Sequence, residues 1–247
     1  MKHIVLMTLL LGATALRAGV TIVVDRNMGD AATPQFRFER VPPPSRDDAA
    51  TNAKLDLIAG RIDGNSPGLA AITDGRVPGD WDEPQSNLFF APGTWGGRFR
   101  IDLGTAIPIA EINSYSWHPN SRAAQLYKVY GSDWTDPNFN AAPGSKIDPT
   151  TAGWKLIAFV DTRPREGESG GQYGVSIRDS AGILGRYRYL LFDVFETEGD
   201  DDWSNTFFSE IDVRAPPGAL GSGHGHHQTT SAITATTTSA FFIVPAD

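Results

Sequence analysis

Residues 99–133 read FRIDLGTAIPIAEINSYSWHPNSRAAQLYKVYGSD, and this stretch decides the fold class. Phe99, Ile101 and Leu103 alternate with Arg100, Asp102 and Gly104. A long strand is expected from about Ile107 to Trp117, and a third at Leu126–Tyr130. Alternation with period 2 marks strands with one buried and one wet face. Between the second and third strands lies a polar loop, Trp117-His118-Pro119-Asn120-Ser121-Arg122, which mixes aromatic, imidazole, amide and guanidinium groups.

The same pattern extends in both directions. Upstream, the β-branched run Val20–Val24 reads as a strand. Gln35–Arg40 alternates around Phe36 and Phe38, and Ala53–Ala59 alternates through Leu55 and Leu57. Pro42-Pro43-Pro44 marks a loop or edge, because proline cannot donate to a central ladder. Arg61–Asp82 is rich in turns, with room for one helical turn at Leu69–Ile72, and Asn87–Phe90 is a short strand candidate. Downstream, strands are expected at Trp154–Val160, Gln172–Ile177, Tyr187–Phe195 and Thr206–Val213, with long polar excursions at Gly131–Gly153 and Asp161–Gly171. Many short strands and frequent turn signals predict an all-β sandwich or barrel.

The chain has 247 residues, 40% of them apolar and 20% charged, enough to bury a core. Its formal net charge is −8. Met1–Ala18 reads as a secretory signal peptide: a short basic start, the apolar run Ile4–Ala15, and Ala18 at the cleavage position. That run is too short to span a bilayer as a helix. The competing reading makes it a first core strand merging with Val20–Val24. The leader carries Lys2 and Arg17 and no acid, so cleavage leaves −10. Such a balance argues against nucleic acid or an anionic membrane as partner. It suits a cation or a neutral ligand such as a sugar. The chain has no cysteine and so no disulfide. Residues 19–214 form the expected domain; residues 215–247, with Pro216-Pro217-Gly218 and a Gly/His/Thr/Ser-rich run, form a low-complexity tail. The localisation expected is secreted, periplasmic or cell-surface.

Five segments in order resemble the discoidin domain, also called the coagulation-factor C-type domain, of the galactose-binding-like superfamily. They are Ala71–Gly75 followed by Trp81, the Phe99–Gly104 strand, Tyr127–Asp133 followed by Trp154–Ala158, Tyr187–Phe192, and the closing Ser209-Glu210-Ile211-Asp212-Val213. The resemblance covers roughly residues 53–213. It implies a jelly-roll β-sandwich of about eight main antiparallel strands that binds glycans, lipid head groups or protein surfaces through loops at one end. It also implies a structural Ca²⁺ and no catalysis of its own. The chain departs from the family in its two long insertions, in lacking the disulfide that often pins animal members, and in the unexplained residues before Ala53.

Two sites are expected. The resemblance places a Ca²⁺ between Asp74 and Glu210, and Asp80, Asp82 and the Ala71 carbonyl are further candidate oxygens. The alternative is that Asp74 only stabilises its turn and Glu210 faces solvent. A sugar site needs an aromatic platform and a few fixed polar groups. Trp117, His118, Asn120 and Arg122 share one loop, and Trp81, Trp95, Trp203, Arg163 and Arg165 lie on others. The alternatives are that Trp81 and Trp117 plug the structure and that Arg163 and Arg165 form a solvated face. His118 is the one histidine eligible for catalysis, since the others sit in the leader and the tail, and nothing in the sequence supplies its partners. The acidic run Glu196, Glu198 and Asp200–Asp202 leaves paired-carboxylate glycan hydrolysis as a minor alternative. The leading expectation is a non-catalytic carbohydrate-binding module with a glycan or cell-surface partner. The runner-up is an adhesion protein that recognises another protein.

Overall fold

The computed structural model describes residues 19–33, 36–80, 82–197 and 205–219. The expected leader, Trp81, Glu198, Asp200–Asp202, Trp203 and nearly all of the tail lie outside the described residues. No helix among the described residues is long and apolar enough to cross a membrane.

Nine strands are described: β1 (Val20–Asn27), β2 (Lys54–Ala59), β3 (Gly96–Ile109), β4 (Glu111–His118), β5 (Leu126–Ser132), β6 (Lys155–Asp161), β7 (Gly171–Asp179), β8 (Gly185–Phe195) and β9 (Phe208–Arg214). They form two antiparallel sheets, ordered β1-β7-β4-β9 and β2-β3-β8-β5-β6. This is the all-β sandwich that the alternation predicts, and its two antiparallel sheets agree with the jelly roll that the resemblance implies. Residues at period 2 on the facing surfaces fill one core, among them Phe99, Ile101, Val129, Phe192, Val175, Ile177, Ile211 and Val213. Phe99 and Phe192 sit opposite each other on β3 and β8, with rings stacked 5.1 Å apart.

The expected single strand from Ile107 to Trp117 is two strands in two sheets. Ile107–Ile109 pairs with Tyr187–Gly185 in the five-stranded sheet, and Glu111–His118 pairs with β7 and β9 in the other. The reason lies in the spacing. Ile109 and Ile112 are both fully buried in the common core. Residues three apart cannot share a face of one strand. Crossing between sheets at Ala110 turns both inward, and Ala110 N–H donates to the Arg214 carbonyl at 2.8 Å.

Each outer face carries a partial cover. Phe36 and Phe38 do not belong to a strand. Phe36 has φ +47° and packs with Phe38, Tyr115 and Trp117 over the four-stranded sheet. On the five-stranded sheet the long polar excursion folds back as a cover. Phe139, Ala152 and Trp154 pack on Tyr130, Tyr189 and Leu191. Arg98, 4% exposed, pins that cover. Its guanidinium grips Asp193 in a bidentate pair at 3.0 and 2.8 Å and donates to the carbonyls of Pro143, Gly144 and Ile147. A buried cation with its donors satisfied in this way is tolerable; left unpaired it would be costly. Leu69–Ile72 forms a single 3₁₀ turn, and Asn87–Phe90 makes two isolated bridges, Leu88 to Phe208 and Phe90 to Ile62.

Candidate functional site

The strand directions gather several loops at one end. β4 ends at His118 opposite Gly171, where β7 begins. β6 ends at Asp161 opposite Leu126, where β5 begins, and β8 ends at Phe195 opposite Gly96, where β3 begins. The connections 119–125, 162–170 and 60–95 therefore emerge together.

His118 organises this end from below. It is 5% exposed, and its Nδ1 accepts the backbone N–H of Asn120 at 3.2 Å and of Arg122 at 3.4 Å. Its ring meets Phe207 edge-on at 4.8 Å, and Phe207 stacks on Phe89 at 3.9 Å. Burial, helped by the Arg122 charge, pushes the imidazole down to about 4. The ring is therefore neutral near pH 7 and keeps its acceptor. Arg122 sits 5.9 Å over the Phe207 ring, and its carbonyl accepts Phe207 N–H at 2.9 Å. Trp117 is 5% exposed and donates from Nε1 to the Asp80 carbonyl at 3.0 Å. Trp117 and His118 thus stand beneath the loop and shape it.

Asn120 is exposed, and its side-chain amide makes no hydrogen bond among the described residues. It borders two adjoining clefts of about 250 and 180 Å³. Glu168 borders both; Ser121 and Ser169 line the first, Met28 and Trp117 the second. Ser169 Oγ donates to the Ser121 carbonyl at 2.6 Å, tying the two loops together. Arg163 is exposed and closes a bidentate pair with Asp161 at 2.9 and 2.8 Å. That pairing holds the Asp161 carboxyl below its usual range. Trp81 and Trp203 lie outside the described residues. Of the aromatic and polar set that the sequence nominates, the structure gathers Trp117, His118, Asn120 and Arg122, with Asn120 the most accessible. Glu168, Ser121 and Ser169 were missed, because pairing of these two loops leaves no mark in either loop alone.

The acidic residues divide differently. Glu210 and Asp212 are two apart on β9 and are both fully buried. Glu210 Oε2 accepts Gly75 N–H at 2.7 Å, and its Oε1 is buried with no partner. Asp212 accepts Ser45 N–H at 3.0 Å and the Tyr115 hydroxyl at 3.3 Å. Asp48 accepts the N–H groups of Ala50 and Val213 at 2.7 and 3.0 Å. Burial, then the Asp212 charge, pushes Glu210 up to about 9. Burial, then Asp48, pushes Asp212 up to about 7. Asp74 is exposed and accepts Arg76 N–H at 2.8 Å, a turn-stabilising bond, yet its charge also bears on Glu210. The structure thus joins the Asp74 turn to Glu210. Asp80 and Asp82 are exposed; the Asp80 charge bears on Glu83 and that of Asp82 on His118. Among the described residues no three His, Asp or Glu side chains are grouped to hold a metal. The orphaned Glu210 oxygen fits a hard cation, which Asp74 and backbone carbonyls would help to hold. Asp48 and Asp212 were missed, although Asp212 is legible as the i+2 neighbour of Glu210 on one strand face.

No family model and no curated protein matches the chain. Solved structures do. A fucose-binding module of Streptococcus pneumoniae aligns at 12% identity over 69% of this chain and 96% of its own, with a TM-score of 0.43. Chitosan-binding module 1 from a chitosanase/glucanase of a Paenibacillus species aligns at 14% identity over 67% of this chain and 96% of its own, with a TM-score of 0.42. The module CBM32-1 from a family 31 glycoside hydrolase of Clostridium perfringens aligns at 12% identity over 68% of this chain and 98% of its own, with a TM-score of 0.41.

Proposed function

We propose that this chain is a secreted, non-catalytic carbohydrate-binding module that takes its ligand through the loops around Asn120. One observation carries the reading. An exposed amide with two donors and one acceptor open borders two adjoining clefts, on a loop whose backbone is already fixed by His118. A pre-organised loop spares the ordering cost of binding. Sugar hydroxyls need such polar partners, and Asn120, Ser121 and Glu168 border these clefts. The net charge of −8 favours a neutral ligand over an anionic one.

The same proposal includes a structural Ca²⁺. Glu210 and the Asp74 turn would hold it, with backbone carbonyls of residues 71–75 completing the set. Its charge would compensate carboxylates that are otherwise buried together at a cost. The orphaned Glu210 oxygen supports this. A glycan array probed with the full chain, with and without Ca²⁺, tests the reading. Specific retention of one glycan class is expected, and an array without any retained glycan overturns it.

A further inference from the structure

Trp95 has no evident structural task. Its side chain is 74% exposed, and its φ of +56° is a left-handed conformation that a bulky residue adopts only under strain. Neither packing nor backbone geometry explains a tryptophan here. Trp134 shares these features, with 53% exposure and φ +71°, but the Arg188 guanidinium lies 4.3 Å over its ring. Among the described residues no ring or cation stacks on Trp95. Its turn is nonetheless fixed. Thr94 Oγ1 donates to the Ala91 carbonyl at 2.6 Å. Gly96, at φ +97°, lies so close to β8 that an added Cβ would fall 2.1 Å from the Val194 carbonyl oxygen.

Beside Trp95 is a cleft of about 330 Å³ bordered by Gly60, Gly97, the Arg98–Asp193 pair, Ser145 and Phe195. The ion pair leaves this wall without net charge. Arg98 spends its donors on Asp193 and the covering loop. What remains is one flat, wet indole face beside a cleft with the hydroxyls of Thr94 and Ser145. A pyranose presents the matching pair of surfaces: a C–H face for an aromatic ring and hydroxyls around its edge.

We propose that Trp95 is a stacking platform for a neutral sugar ring. It forms a second carbohydrate contact on the five-stranded side of the same end, sharing no bordering residue with the clefts at Asn120. This rests on the reading of the chain as a carbohydrate-binding module. The test is an NMR titration of the full chain with neutral oligosaccharides (fragments of galactan, xylan, β-glucan and chitin), following the indole N–H signals of the six tryptophans. The signal missing in Trp95→Ala identifies Trp95. It should shift with a sugar that binds the wild type. Trp95→Ala should weaken that sugar roughly tenfold, and Trp95→Phe should retain most of the affinity. Trp95→Gly, which suits the left-handed backbone, should lose the affinity without lowering the melting temperature. A sugar that binds while the Trp95 signal stays still and Trp95→Ala matches wild type overturns the platform and leaves the Asn120 reading standing. If no sugar in the panel binds the wild type, both fall.

Discussion

The backbone N–H of Asn120 points at Nδ1 of His118, 3.2 Å away, so the most accessible polar side chain of the loop is carried by a buried histidine two residues before it. The arrangement turns an imidazole that invites a catalytic reading into a fixed acceptor. It also makes the loop depend on the neutral form of that ring.

The pH dependence follows. Burial lowers His118 from 6.5 to about 4. A depressed folded-state value means that its contribution is fully present above 6.5 and is lost as pH falls towards 4, at most roughly 3 kcal/mol. An NMR titration should find the His118 ring changing near pH 4, with backbone signals of Asn120 and Arg122 moving alongside it. Titration near 6.5 would show that the ring is not locked beneath the loop.

Calcium should act through Glu210. Saturating Ca²⁺ at a hundredfold excess over its Kd stabilises by about 2.7 kcal/mol, or roughly 5–10 °C in a chain of this size. Glu210→Gln should remove that response. In EDTA near pH 7 it should leave the melting temperature close to wild type, because burial already keeps Glu210 uncharged there and the amide keeps an acceptor for Gly75 N–H. Equal melting of wild type in Ca²⁺ and in EDTA would exclude the metal.

Arg98 should matter more than any exposed arginine. Arg98→Met strands Asp193 and three carbonyls. A cost of roughly 3–5 kcal/mol is expected, a drop on the order of 10 °C. Limited proteolysis should then cut within residues 133–153 before the strands. Arg163→Met, at an exposed pair, should change the melting temperature little.

Much of the fold was legible in residues 99–133 because alternation reports burial directly. It failed where the period broke: Ile109 and Ile112 read as one strand until the change of sheet separates them. It also failed where apolar residues cover an outer face. Phe36 and Phe38 alternate like a strand, yet they are a plug on Tyr115 and Trp117. The covering role of residues 133–153 was hidden because its anchors lie outside it, Arg98 on the distant β3 and Trp154 just after the segment. Within the site, residue types were legible and the alternative of Trp117 as a plug holds, but the depth of His118 was not legible. Trp117 and His118 advertise a ligand by chemistry, and both are buried beneath the loop whose surface Asn120 forms.

The central claim is that Asn120 contacts the sugar. Calorimetric titration of the array-selected glycan into wild type and Asn120→Ala tests it most directly, with melting curves run in parallel. Asn120 is exposed, so the variant should melt within about 1–2 °C of wild type. Its affinity should fall roughly tenfold or more, as loss of paired hydrogen bonds requires. Unchanged affinity in a fully folded Asn120→Ala protein would contradict the account.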